Sequence, residues 1–286
     1  MLIKRGESDL PKASGGHAMT VADTVEPAST WRWWPHRIAL VILAVVWVAF
    51  LAVDLVWQGS PNDWPLWFLF FREGGIVEHL TWLMLAAASL LAMFTAGRAW
   101  GRAPYEFQRF WLILAIGIVL LLIEDAGDTS HRFAYYLGVV FGEVRLDAAR
   151  LPVYVVLGGV MLYALLRYRR IWRDVPGVAR PLLGGYVLYA IGAGLSVPFN
   201  LFTGGYDTVG LVVLEGWFGG ALAGLPEPIW GATADNSHVV FMDLAIEESV
   251  ELLAASLLAT ASLRAARRSA ETVQQDPVVQ ASHSRE

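Results

Sequence analysis

Cysteine is absent from the 286 residues. Disulfides, thiolate metal ligands, iron–sulfur clusters and cysteine nucleophiles are therefore excluded. Charge is scarce: 16% of residues are charged and 56% hydrophobic, where a soluble domain carries about 25% charged. A net charge of −5, with no zinc-finger spacing, RNA-binding signature or basic stripe, gives no case for a nucleic-acid partner. HExxH, GxSxG and P-loop motifs are missing, and so is the internal repeat that marks many transporters. No cleavable signal is expected, because residues 1–30 are polar and the first apolar run, from Ile38, is too long for an h-region.

What the chain has is apolar runs and tryptophan, 13 of them, several beside those runs, where amphipathic rings favour the lipid headgroup level. Crossing a bilayer core takes about 20 apolar residues. Residues 38–56, 77–95, 110–123, 182–199 and 239–263 fit or nearly fit. Residues 151–166 form a shorter sixth run that Arg167 can lengthen by snorkelling. Basic residues concentrate in the N-terminal tail, the second and fourth loops and the C-terminal tail. The other loops hold only Arg72, Arg132, Arg145 and Arg150 of the 21 Lys and Arg.

By the positive-inside rule this alternation predicts six crossings with both termini cytoplasmic, in a bacterial inner (plasma) membrane. The expected fold is all-α and polytopic: a tail over 1–30, a transmembrane helical domain over 31–268, and a second tail over 269–286. Both tails are rich in polar residues without periodicity and read as disordered. Residues 209–225, apolar and Gly-rich around Glu215, read as a re-entrant or interfacial segment before the last helix. "PLWFLFF" at 65–71 reads as another interfacial piece. The small residues of 184–196 read as close helix packing.

The acids fall in one leaflet of this topology. Glu78 opens the second helix. Glu124, Asp125, Asp128 and His131 end the third. His238, Asp243, Glu247, Glu248 and Glu251 lie in the outer half of the sixth. Glu124, Asp128 and His131 share one face if the third helix continues, and Asp243, Glu247 and Glu251 form a second row at intervals of four. Glu251 lies roughly 18 Å along its helix, too deep for a simple exit into water.

Such carboxylates each cost about 2.5 kcal/mol or more in lipid and persist only with partners. Arg72, Arg132, His79, His131 and His238 are too few to offset them, so a bound cation is expected. Carboxylate and imidazole without sulfur suit iron, manganese or zinc, and Asp128-x-x-His131 has the spacing used in di-iron carboxylate bundles. The expected site is Glu124, Asp128, His131, Glu247 and Glu251, with Glu78 and His238 beside them. It would hold a divalent or redox metal near the extracytoplasmic leaflet, in a membrane enzyme acting on a lipid or small-molecule substrate.

Blander roles compete. Glu78 can be a helix-dipole partner, and Asp54 can mark the membrane boundary. His238 follows a helix N-cap. His79 faces about 100° from Glu78 and is expected outside the site. Asp125 and Glu248 point away from their rows and read as solvent-facing or capping. The acids as a whole can instead serve a proton- or cation-coupled carrier or channel, or the packing of a non-catalytic subunit or assembly factor.

"FREGGIVEHLTWLMLAAASLL" at 71–91, "LLIEDAGD" at 121–128 and "DLAIEESVELLAASLLA" at 243–259 together resemble a group of uncharacterised bacterial multi-pass membrane proteins. The chain departs from that group after its acidic pair, reading Ala-Gly-Asp-Thr-Ser-His where Ser-Trp-Gly-Gln is usual. The resemblance implies no activity; it implies that these acids belong together.

Overall fold

The computed structural model describes residues 34–56, 66–101, 103–142, 146–194, 205–212 and 237–274, and among these every regular element is helical. In chain order they are α1 (Pro35–Phe50), α2 (Leu66–Phe71), α3 (Ile76–Arg98), α4 (Tyr105–Gly127), α5 (Thr129–Phe141), α6 (Leu146–Arg167), α7 (Arg169–Asp174), α8 (Ala179–Gly194), α9 (Gly205–Leu211), α10 (Ser237–Phe241) and α11 (Glu248–Gln274). Two π-helical turns extend this set: Leu51–Val56 after α1, and Met242–Glu247 joining α10 to α11.

Among the described residues, four segments are long and apolar enough to cross a membrane: Pro35–Asp54, Leu66–Arg98, Tyr105–Gly127 and Ala148–Arg167. The sequence predicts six. Of the other two, the run over 182–199 lies partly outside the described residues, and α11 begins with Glu248 and Glu251 and goes on to Arg264, Arg267 and Arg268. The expected re-entrant segment 209–225 lies largely outside the described residues, as do residues 1–30, Pro198 and most of the final tail. α2, expected at the membrane interface, buries Trp67, Phe68 and Phe71 in a cluster with Phe50 and Phe241. Asp54 fixes it there by accepting the backbone N–H groups of Leu66 and Trp67 at 2.9 and 3.0 Å.

α11 is the centre of the bundle, packed on α1, α3 and α8. Its composition permits this: Ala254, Ala255, Ser256, Ala259, Thr260 and Ala261 are all buried, and small residues let helices approach without a hydrophobic drive between them. The hydroxyls turn back on their own helix, Ser256 to Leu253 O at 2.7 Å and Thr260 to Ser256 O at 2.8 Å, and Thr260 Oγ1 also pairs with His36 of α1. Where α8 crosses, a side chain at Gly185 would meet Ala254 O at 2.9 Å and Leu258 Cγ at 2.9 Å. The outward faces are apolar: Val41, Val45 and Val48 on α1, Leu83 and Leu90 on α3, Val156 and Leu166 on α6 are exposed. Exposed apolar area on this scale is the signature of a membrane or interaction surface.

Candidate functional site

The acids sit where three helices change course. α4 ends because Asp128 takes the left-handed conformation, φ 46°, which Asp tolerates better than most residues. The third helix therefore does not continue through His131 as the four-and-three spacing requires; α5 starts afresh at Thr129. Side chains still bind the corner. Asp128 and His131 Nδ1 form a hydrogen-bonded ion pair, and Glu124 Oε2 accepts the Ser130 N–H at 3.0 Å. Across the bundle, α3 starts from a turn in which Gly75 is obligatory, since a Cβ there would meet Phe70 O and Arg72 O at 2.6 Å. Glu78 reaches back to accept the Gly74 N–H, which is the dipole-and-cap role open to it.

These corners enclose a cavity of about 700 Å³. Glu73 and Glu78 enter it from the start of α3, Glu124, Asp125 and Asp128 from the end of α4, and Asp243, Glu247, Glu248 and Glu251 from the π turn and α11. Among the described residues that is nine carboxyl groups in the lining, and the basic groups there are His131, Arg132 and Arg150. Of the residues expected in the site, Glu78, Glu124, Asp128, His131, Glu247 and Glu251 line this cavity. His238 does not. It is buried, with its backbone carbonyl against Gly210 of α9. His79 is also outside, stacked on Trp82 with its ring nitrogen at Gly75 O.

Asp125 and Glu248, read from the sequence as solvent-facing or capping, instead line the cavity. Asp243, Glu247 and Glu251, the row expected from the sequence, line it as well, and Glu248 joins them at the junction of the π turn over Met242–Glu247 with α11. Within α11, Glu248 and Glu251 are three apart and share a face. Asp125 and Glu251 lie close enough to interact electrostatically.

Three further residues were not legible as site residues. Arg150 donates to Ser130 Oγ at 3.2 Å and to Tyr154 Oη at 2.9 Å, and its charge faces Asp243 and Glu247. Its four-residue spacing from Tyr154 inside an apolar run was the available signal. Tyr189 brings a phenol from α8 toward Asp125, Glu248 and Glu251. Four buried polar atoms of this lining have no hydrogen-bond partner: Asp125 Oδ2, Glu248 Oε2, Tyr189 Oη and Trp82 Nε1. Each such atom costs about 1–3 kcal/mol.

Among the described residues, no three His, Asp or Glu side chains are grouped closely enough to hold one metal ion. The acids converge on a shared chamber rather than on a shared point. No family model matches the chain, and neither a curated protein nor a solved structure matches it.

Proposed function

We propose that the protein is a six-span protein of the bacterial inner membrane that binds a cation from the extracytoplasmic side. α1, α3, α4, α6, α8 and the α10–α11 unit are the crossings, with both termini cytoplasmic. The alternation of arginine between loops supports this orientation, and the outward apolar faces support insertion.

The observation that carries the reading is the charge of the chamber. Nine carboxyl groups face a volume whose basic groups are His131, Arg132 and Arg150. Like charges in a low-dielectric site repel unless a proton or a cation offsets them. The chamber is of small-molecule size, since ligand cavities run about 300–1,000 Å³, and Trp82, Tyr154 and Tyr189 give it aromatic surface suited to a cationic ligand. The site residues in this reading are Asp125, Glu248 and Glu251 at the base, with Glu78, Glu124 and Glu247 above them. Purified protein in nanodiscs, titrated with an alkylamine and with Mn2+, should bind at least one of them. Loss of that binding in Glu124→Ala supports the site, and saturable binding by neither probe overturns it.

The second reading is the metal expected from the sequence: iron, manganese or zinc, serving chemistry on a lipid or small-molecule substrate. One contact favours it. Asp128 pairs with His131 Nδ1, and a carboxylate in that position orients an imidazole for ligation through its other nitrogen. Stoichiometric metal in the purified protein, lost in His131→Ala, would establish this reading.

A further inference from the structure

The cavity lining is mixed. Beside the acids, α6 contributes Leu151, Val155, Leu157 and Met161 along with Arg150 and Tyr154, and α8 contributes Ala190 and Ala193 along with Tyr186 and Tyr189. The two helices meet where Tyr186 Oη donates to Gly158 O at 3.2 Å. Val155 lines the cavity and is 63% exposed, and Ala190 likewise lines it and is exposed. On the acid wall, Glu248 is 9% exposed and lines the cavity, and its Oε2 has no hydrogen-bond partner.

From this juxtaposition we infer that the ligand is an amphiphilic amine, its ammonium group against Asp125, Glu248 and Glu251 and its hydrocarbon chain along the α6–α8 wall. The inference rests on the cation-binding reading above and adds the apolar half of the ligand to it. An ammonium group offers three donors to the unpartnered oxygens of Asp125 and Glu248. A bare inorganic ion would leave the apolar lining unused. A neutral lipid would leave the carboxylates unanswered.

The test compares butylamine, octylamine, octanol and Mn2+ on the full chain in phosphatidylcholine nanodiscs, with empty nanodiscs subtracted. The readout is quenching of tryptophan fluorescence, Trp82 being in the wall. Octylamine should bind at least about tenfold more tightly than butylamine, because each methylene removed from water favours binding, and octanol should bind far more weakly than octylamine. Glu248→Gln should weaken both amines about tenfold, the expected size for an interaction with a buried charge. Ala193→Trp, which fills the chain path, should abolish the difference between the two amines. Thermal melting of both variants checks that they are folded; should Ala193→Trp fail, Val155→Trp replaces it. Butylamine or Mn2+ binding with no gain from chain length would overturn the amphiphile and leave the cation reading standing. Octanol binding as tightly as octylamine would overturn it as well. Saturable binding by none of the four would overturn the cation reading itself.

Discussion

The two ends of the bundle solve the problem of charge at a membrane in opposite ways. At the acid end, nine carboxyl groups face a shared cavity and two of their oxygens have no hydrogen-bond partner. At the other end, arginine is tied into the fold. Arg264 donates to Gly177 O and stacks its guanidinium 4.5 Å from the Trp34 ring, with Arg267 at 5.2 Å from the same ring. His36 Nδ1 lies 2.9 Å from Thr260 Oγ1, joining α1 to α11. Buried polar atoms without a partner occur away from the acids too, at Arg98 Nε, Trp111 Nε1 and Ser262 Oγ, so what separates the two ends is the crowding of like charge around a shared cavity. Functional sites commonly depart from optimal stability in this sense, which is why the proposed site is set at the acid end.

The contrast can be broken most forcefully at the crossing on which both ends depend. Gly185→Leu must displace Ala254 O or Leu258, and overpacking of this kind costs about 1–3 kcal/mol; the melting temperature should fall and ligand binding with it. Glu248→Gln should act in the opposite sense on stability. Removing a buried charge with an unpartnered oxygen should raise the midpoint by the equivalent of about 1–2 kcal/mol, while amine binding weakens. A fall in melting temperature would mean that Glu248 is part of a satisfied structural network.

Arg264→Ala should cost about 1 kcal/mol of stability through the lost ring contact and leave binding at the acid end unaltered. Coupling of that variant to ligand affinity would erase the division of labour between the ends. Asp128→Asn should be the mildest change, within about 0.5 kcal/mol, since Asn also tolerates the left-handed backbone. The sensitive readout there is metal content, which falls only if the Asp128–His131 pair supports a metal.

Much of the helix placement was readable because hydrophobic run length is a strong signal: α1, α3, α4 and α6 lie over the runs that predict them. The two ends of the third and sixth runs were less readable. Nothing in the spacing of Glu124, Asp128 and His131 announces a left-handed residue at Asp128, and nothing in "MDLAIE" announces a π turn. Both break the 3.6-residue period on which facing arguments rest, and both changes fall on the acids. Asp125 and Glu248, assigned outward from the sequence, line the cavity beside the rows themselves, because it is wide enough to take more than one face of each helix. The apolar wall was invisible for a different reason. It is made by α6 and α8, helices of ordinary composition separated by α7, and only their juxtaposition with the acids gives Val155 and Ala193 a role.

Because the chain has no native cysteine, one labelling experiment addresses the central claim directly. Asp243→Cys and Gly177→Cys mark the two ends separately. In right-side-out membrane vesicles, an impermeant maleimide should modify Asp243→Cys, and octylamine should slow that reaction, while Gly177→Cys should react only after the vesicles are opened. Modification of Asp243→Cys only in opened vesicles, or at a rate that no cation changes, would contradict an acid-lined chamber that opens outward and takes a positively charged ligand.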